Sequence, residues 1–324
     1  MSVEVLIRLT AMGDVLLAVP TARALARAGR EVHWVLHGRW AALAPFLPAA
    51  QVHLLGGADD LLPLAKRLRR LHPSRVVDLQ GKPASVVLSA LIGAPVRRYG
   101  KRPWTEQIAA ARNRYPIRPS DTEQVWLKYA RTAEVVPLPG DALLNLPDAC
   151  RAAARGWLER ETGTPAERFT ILHPAAAHRG KTIPQAGIGA LLEALPKPVV
   201  LMGDSDGTIT AGDGIVDLRG KTPLEILPGL MSLARLAVST DSGPMHLARA
   251  VGVPVVGIFF QTDPCLGFAP IPGPGVRIFS KELPCKPCSL HGRRRECPEH
   301  TWACRDFDWK ALAADIASFA RNPA

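Results

Sequence analysis

The sequence predicts an α/β protein built from two doubly wound domains. Its 324 residues are long for a single hydrophobic core. In the first half, strand-like apolar runs alternate with amphipathic segments of helical length, and this alternation starts again after a Pro-rich stretch at 135–148. We therefore expect an N-terminal domain at 1–160 and a C-terminal domain at 161–324.

In the first half, buried strands are predicted at 3–9, 31–37, 51–55 and 75–81, where apolar residues run almost without interruption. Helices are predicted at 14–28, 61–71 and 84–92, where apolar residues recur with the helical period. Strands separated by helices of this length form a parallel sheet covered on both faces. A basic, polar region at 100–121 follows, with further helices predicted at 123–133 and 150–161.

The second half repeats the pattern. Strands are predicted at 168–175, 198–204, 236–241 and 253–260, with helices at 224–233, directly after Pro244, and at 308–321. Two such domains facing each other would leave a central cleft at the carboxyl ends of both sheets, where folds of this class bind ligands.

Composition narrows the function classes. Hydrophobic residues make up 47% of the chain and charged residues 21%, as in a folded globular protein. We find no signal-peptide pattern and no apolar run long enough to span a bilayer, so we expect a cytoplasmic protein, with contact to a membrane surface left open. The net charge of +11 suits nucleic acid, an anionic membrane or acidic substrates. Since no nucleic-acid recognition motif is found, we expect no nucleic-acid partner.

The first candidate site is RLTAMGDVLLAVP at 8–20, where a strand ends and a helix begins. Gly13 is expected to let the backbone turn sharply. Asp14 then starts the helix, and a carboxylate there stabilises the positive end of the helix dipole. The alternative is that Asp14 is a general base at the carboxyl end of a strand. The local pattern leaves both roles open.

The second candidate site is STDSGPMHLARA at 239–250. Pro244 suits the first turn of a helix, and Asp241 or Ser242 can cap it. The unpaired N–H groups at 243–246 and the positive end of the dipole would then bind an anion. The alternative is an ordinary strand–helix junction with Met245 in the core.

Two loops add charged candidates at the ends of predicted strands. In ILHPAAAHRGKTIP at 171–184, Lys181 could neutralise phosphate charge on a leaving group, although a solvated basic loop is the commoner outcome. In GDSDG at 203–207, Asp206 could hydrogen-bond a ribose, but the residue types favour a simple turn.

The cysteine-rich segment CKPCSLHGRRRECPEHTWAC at 285–304 raises the question of a metal. Its C-x2-C pair is typical of zinc sites, but the remaining cysteines do not form a second such pair. A structural zinc ion and reduced thiols are both open, with the candidate ligands Cys285, Cys288, Cys297 and Cys304. Neither a dinucleotide-binding G-x-G-x-x-G nor a phosphate-binding P-loop occurs after a strand, which disfavours nicotinamide chemistry and nucleotide hydrolysis.

Three segments together resemble glycosyltransferase family nine, the bacterial ADP-heptose:lipopolysaccharide heptosyltransferases: RLTAMGDVLLAVPTARAL, DLQGKPASVVLSALIGAPVRRYG and TDSGPMHLARAVGVPVVGIFFQTDP. The resemblance implies a GT-B fold, with the last helix at about 308–321 crossing back to the first domain. It also implies inverting transfer of a heptose from ADP-heptose to a lipid A–Kdo type core acceptor, with no cofactor required for catalysis.

The resemblance assigns roles residue by residue. Asp14 matches the family's general base, Lys181 its phosphate-contacting lysine, and Asp241, Ser242, Gly243 and His246 the motif that binds the donor diphosphate. We add Gly13, Pro244, Met245 and Asp206 as further donor-side candidates. The basic first domain is expected to meet the anionic lipid-linked acceptor and the inner leaflet, through Arg97, Arg98 and Lys101 and the cations Lys66, Arg67, Arg69, Arg70 and Arg102.

Two alternatives remain. This chain has alanines at 175–177 and Ile183 where relatives often carry Ser or Thr and Trp, so a different nucleotide-sugar donor is the first alternative. The second is a non-catalytic protein that binds a nucleotide or a nucleic acid, the latter supported by the positive charge alone.

Overall fold

The computed structural model describes residues 1–100, 104–112, 114–163, 168–204, 209 and 212–322. The chain divides into two compact units. The first comprises Met1–Lys101 and Gln124–Asn145, and the second comprises Arg102–Glu123 and Leu146–Ala324.

The first unit contains a five-stranded, fully parallel sheet with the order β3-β2-β1-β4-β5. Its strands are β1 (Ser2–Ile7), β2 (Arg30–His37), β3 (Gln51–Leu55), β4 (Arg75–Asp78) and β5 (Val96–Arg98). Its helices are α1 (Met12–Leu17), α2 (Val19–Arg27), α3 (Leu61–Arg69) and α4 (Pro83–Ile92), and α6 (Val125–Thr132) follows α5 (Trp104–Ala111) of the second unit.

The helix predicted at 14–28 is two helices that meet at Ala18, which ends α1 and caps α2. The reason is Pro20, in the first turn of α2, because a proline has no N–H to continue the hydrogen bonds of α1. Helices α3 and α4 lie on one face of the sheet, where Leu64, Leu68, Leu88 and Ile92 pack against the buried strands.

The second unit contains a six-stranded parallel sheet with the order β11-β10-β9-β6-β7-β8. Its strands are β6 (Thr170–His173), β7 (Val199–Leu201), β8 (Ile215–Asp217), β9 (Leu236–Thr240), β10 (Val255–Phe259) and β11 (Val276–Ser280). Besides α5, its helices are α7 (Asp148–Thr162), α8 (Gln185–Ala194), α9 (Leu227–Ser232), α10 (Gly243–Ala250) and α11 (Trp309–Arg321). Two parallel α/β units confirm the predicted fold class.

The boundary between the units differs from the predicted residue 160. Helix α7 belongs to the second unit because it packs on α9 so closely that a Cβ atom on Gly229 would lie 2.5 Å from the carbonyl oxygen of Cys150. The segment 102–123 also belongs there, since the amide of Ile117 donates to the carbonyl of Pro287 at 2.7 Å. The last helix, α11, lies in the second unit against α8.

In the described part of the chain, no helix combines the length and the apolar composition needed to cross a membrane.

Candidate functional site

Asp14 lies in the first turn of α1, just after strand β1, and three donors contact its carboxylate. Arg8 Nη2 lies 2.7 Å from Oδ1, the Tyr129 hydroxyl donates to Oδ1 at 3.2 Å, and the amide of Ala11 donates to Oδ2 at 3.2 Å. The Ala11 contact is the helix-start role that the sequence suggested. The Arg8 and Tyr129 contacts add a second function, because they fix the orientation of a side chain that is 23% exposed.

Tyr129 is a donor in this cluster at neutral pH. Burial raises the pKa of Tyr129 well above its ordinary value, and the charge of Asp14 raises it further. The Arg8 guanidinium lies 5.3 Å from the centre of the Tyr129 ring and also donates to the Leu79 carbonyl at 2.5 Å. Both side chains are buried, so the carboxylate sits on a rigid support.

The backbone before Asp14 is held by a neighbouring loop. Gln80 Oε1 accepts hydrogen bonds from the backbone amides of Leu9 and Thr10 at 3.0 and 3.1 Å. The backbone amide of Gln80 in turn donates a hydrogen bond to Asp78 Oδ1. Gly13 differs from expectation, since it is the second residue of α1 and the chain turns before it.

The predicted acceptor residues have local partners. Arg98 binds the fully buried Asp78 at 2.8 Å and donates to Ser89, so it serves the fold of the first unit. Arg97 is more exposed and pairs with Glu134 at 3.0 Å. Lys101 lies outside the described residues.

In the second unit, Lys181 and Asp241, which the family resemblance assigned separately to the donor phosphates, lie side by side. Lys181 Nζ lies 2.8 Å from Asp241 Oδ2 and donates to the Asp241 carbonyl at 3.1 Å. Asp241 directly follows β9 and precedes Ser242, the extended N-cap of α10. This ion pair therefore places a lysine beside the N-terminus of a helix whose first N–H groups have no helical acceptor.

Further positive charge lies close to Lys181. Burial lowers the pKa of His178, and the nearby charges of Arg293 and Lys181 lower it further. The imidazole of His178 is thus a neutral donor beside two cations at neutral pH. Such a cluster can hold the oxygens of a phosphate or diphosphate.

His173, at the end of β6, contacts the residues that lead into α10. Its Nδ1 lies 3.3 Å from the hydroxyl oxygens of both Ser239 and Ser242. Burial lowers the pKa of His173 to about 4, so the ring is neutral. Gly203, with φ of +113°, is required here because a Cβ atom would lie 2.9 Å from His173 Nε2.

Four other predicted donor residues have different outcomes. Met245 is fully buried, and its sulfur fills the space beside Gly257, so its side chain is a packing residue rather than a donor contact. Pro244 occupies the first turn of α10 as expected, and His246 is buried in the same helix. Asp206 lies outside the described residues.

The four clustered cysteines line one small cavity, together with Gln261 and Trp302. Burial raises the pKa of Cys288 to about 11 and also raises those of Cys285 and Cys304. For Cys297, burial is outweighed by backbone N–H groups, first that of Trp302, which lower its pKa. Among the described residues, no three His, Cys, Asp or Glu side chains are grouped to hold a metal ion. A structural zinc therefore stays a prediction.

The cysteine segment braces the loop that carries Lys181. The amides of Cys288 and Ser289 donate to the Gln261 carbonyl, and a Cβ atom on Gly180 would lie 2.0 Å from Gln261 Oε1. A Cβ atom on Gly292 would lie 2.5 Å from Lys181 Cγ. These contacts leave Lys181 little freedom of position.

Sequence reasoning missed Arg8, Tyr129, Gln80 and Gln261 as supporting residues. Tyr129 lies 115 residues from Asp14 and Gln80 lies 70 residues from Thr10, so no local pattern joins them. A buried polar residue inside an apolar helix or beside a strand end was the available signal.

Comparison with known proteins agrees with this architecture. The model of glycosyltransferase family 9 (heptosyltransferase) matches residues 61–302. The lipopolysaccharide core heptosyltransferase OpsX of Haemophilus influenzae is 42% identical over 48 residues, which cover 15% of this chain and 14% of that relative.

Solved structures share the fold at low sequence identity. The ADP-heptose lipopolysaccharide heptosyltransferase II of E. coli gives a TM-score of 0.67 at 18% identity, covering 98% of this chain and 99% of that one. The E. coli heptosyltransferase WaaC with ADP gives a TM-score of 0.60 at 17% sequence identity, covering 99% of this chain and 100% of that one. A family 9 glycosyltransferase from Veillonella parvula gives a TM-score of 0.67 at 17% sequence identity, covering 86% of this chain and 85% of that one. Because the family model spans more than half of the sequence, the chain belongs to glycosyltransferase family 9, the heptosyltransferase family.

Proposed function

We propose that the protein is an inverting glycosyltransferase that moves a heptose from ADP-heptose to a lipopolysaccharide core acceptor of the lipid A–Kdo type. Family membership supports the reaction class, and the WaaC structure with ADP supports the nucleotide. The observation that carries the proposal is the Asp14 carboxylate, which is partly exposed and fixed by Arg8 and Tyr129.

In this proposal Asp14 takes the proton of an acceptor hydroxyl as its oxygen attacks the anomeric carbon of the donor. The glycosidic bond to the diphosphate breaks on the opposite side, which inverts the configuration. The leaving ADP gains negative charge, and Lys181, His178, Arg293 and the N-terminus of α10 stabilise it. Asp241 keeps Lys181 in place between turnovers.

These protein cations supply the charge stabilisation that a metal ion would give, so we propose that catalysis requires no metal. The four clustered thiols then serve the fold, either reduced or around a structural zinc ion. The four thiols on this cavity are of the ligand type that zinc prefers, but their side chains are not grouped as a metal site in the described part of the chain. Metal analysis of the purified protein distinguishes these two states.

The acceptor is an anionic, lipid-linked saccharide, which the excess positive charge of the chain favours. We place the reaction in the cytoplasm, at the inner face of the membrane that carries this acceptor. A different nucleotide-sugar donor is the alternative, because of the alanines at 175–177 and Ile183. A panel of nucleotide-sugars tests it.

The deciding experiment measures ADP release from ADP-heptose with a heptose-free core acceptor. For Asp14→Asn we expect a loss of about 10²–10⁴ in kcat, the usual contribution of a general base. ADP binding is expected to be unchanged, since Asp14 is not a phosphate contact.

Asp148→Asn is the matched control, because Asp148 is also a first-turn helix acid but its side chain is 98% exposed. The control should retain full activity. Full activity in Asp14→Asn would reduce Asp14 to its helix-start role, and no release by the wild type would direct the work to other donors.

A further inference from the structure

Helix α4 buries its polar residues and exposes its apolar ones, the reverse of a usual surface helix. Its two serines are fully buried: Ser85 donates to Asp78 Oδ2 at 3.1 Å, and Ser89 accepts from Arg98 at 2.8 Å. Its outer face is entirely apolar and consists of Pro83, Ala84, Val86, Val87, Ala90 and Leu91. Val86, Val87 and Leu91 are 37%, 46% and 36% exposed. A water-facing helix normally presents polar residues on this side.

Helix α3 lies beside α4 on the same face of the sheet. Leu64 and Leu68 share a core cluster with Leu88 and Ile92, and Arg69 Nε donates to the Ile92 carbonyl at 3.2 Å. The exposed side of α3 carries Leu62, Lys66, Arg67 and Arg70. Within the described part of the chain, Lys66, Arg67 and Arg70 form no ion pair with a carboxylate.

Positive charge prevails around this face, although Asp59 and the N-cap residue Asp60 directly precede α3. Between residues 61 and 100 the only acidic residue is Asp78, which is fully buried and paired with Arg98. The same stretch contains the cations Lys66, Arg67, Arg69, Arg70, Arg75, Lys82, Arg97 and Arg98. An aliphatic strip beside unpaired cations is complementary to a bilayer surface that carries anionic headgroups above hydrocarbon.

We propose that the outer face of α3 and α4, the α3–α4 face, docks the protein on an anionic lipid bilayer. The aliphatic side chains of α4 enter the headgroup–acyl boundary, and Lys66, Arg67 and Arg70 contact the phosphates. Nucleic acid would use the cations but would leave the aliphatic strip in water. The inference rests on the proposed function only in that a lipid-linked acceptor gives the contact its purpose.

The test uses the full chain and vesicles that contain no acceptor. Sedimentation should show binding to vesicles with about one third phosphatidylglycerol, weak binding to pure phosphatidylcholine, and loss of binding as salt rises. Val87→Asp combined with Leu91→Asp should weaken the binding at least about tenfold. Arg67→Ala combined with Arg70→Ala should weaken it about tenfold or more on anionic vesicles only.

Val136→Asp is the matched control. Val136 is 80% exposed, and its carbonyl accepts from Arg27 of α2. The connections β1–α2–β2 and β3–α3–β4 run in opposite directions across the sheet, so right-handed crossovers place α2 on the face opposite α3. This control should bind vesicles like the wild type. Equal binding by the α4 double variant would overturn the proposal.

Two further readouts separate the alternatives. Transfer to a deacylated, water-soluble acceptor should survive in the α4 double variant, while transfer to a vesicle-embedded acceptor should fall. Vesicle binding without any transfer would refute the proposed function but keep the docking face. A wild type that is dimeric by light scattering and ignores vesicles, with a monomeric α4 double variant, would instead assign the face to a second copy of the chain.

Discussion

At the scale of single residues, the two clusters share one device: a charged side chain is oriented by buried neutral or oppositely charged groups. Tyr129 and Arg8 orient Asp14, and Asp241 orients Lys181. Each pair keeps one group partly accessible, since the side chains of Asp14 and Lys181 are 23% and 18% exposed. Fixed geometry of this kind reduces the reorganisation needed when charge develops during a reaction.

His173 gives a pH prediction at the same scale. Its pKa falls from 6.5 to about 4 because burial disfavours the charged ring. Between these values the unfolded chain binds the proton more readily, so stability falls as pH falls, by up to about 3 kcal/mol near pH 4. We expect the unfolding midpoint of His173→Gln to depend less steeply on pH over this range than that of the wild type.

Some dependence will remain in that variant, because burial also lowers the pKa of His53 in the first unit to about 4. His53→Gln is therefore the comparison. The unfolding midpoint of the double variant should depend least on pH. Parallel curves for the wild type and His173→Gln would show that the ring is not buried in neutral form.

The candidate site was predictable to the extent that its residues are contiguous in sequence. The helix start at 241–246 and the position of Asp14 follow from strand ends and helix caps, which local pattern reveals. The ion pair between Lys181 and Asp241 was not predicted, since 60 residues separate them and the family resemblance only assigned each of them to the donor phosphates. The Tyr129 contact depends on how α6 packs, which sequence alone does not encode locally.

At the scale of elements, the contact between α8 and α11 is set by a single glycine. A Cβ atom on Gly187 would lie 2.7 Å from the Trp309 indole, whose Nε1 is held by the Arg305 carbonyl. The ring cannot move without losing that bond. Helix α11 therefore depends on the absence of a side chain at one position of α8.

This contact can be tested with identical substitutions in one helix. Gly187→Ala should destabilise the protein by about 1–2 kcal/mol, because the overlap with Trp309 exceeds the gain in helix propensity. Gly189→Ala, where a Cβ atom would meet nothing within 4 Å, should stabilise it by about 0.5–1 kcal/mol. Thermal unfolding of the two variants measures both; opposite signs are expected, and equal effects would refute the packing argument.

The elements that sequence reasoning found are those with long periodic patterns, such as α3, α4, β1 and β9. Strands β5, β8 and β11 were not predicted. The first two have only three residues each, and β11 has Arg277 and Ser280 among its apolar residues, whereas the equally short β7 lies in a continuous apolar run. The predicted domain boundary followed the Pro-rich stretch, whereas the packing of α7 on α9 places the helix after that stretch in the second unit.

At the scale of the whole molecule, ligand binding should appear as added stability. If ADP binds at the start of α10, a concentration of 100 times Kd should stabilise the folded state by about 2.7 kcal/mol. We expect a clear rise in melting temperature for the wild type and a much smaller rise for Lys181→Met.

The matched control is Lys310→Met, which removes the same charge from an exposed position on α11. Because Lys181→Met also leaves Asp241 without its partner, the quantity compared is the ADP-induced shift of each variant and not its absolute melting temperature. An unchanged shift in Lys181→Met would mean that ADP binds without this lysine.

The two hydrogen bonds from the loop before α1 to Gln80 have a consequence for the design of chimaeras between family members. Residues 8–14 and 78–85 depend on each other, because the amides of Leu9 and Thr10 in the first segment donate to Gln80 in the second. Grafting the first segment alone into a relative that lacks this glutamine would strand two amide donors, at about 1–3 kcal/mol each. Both segments must be exchanged together, with no insertion or deletion in either.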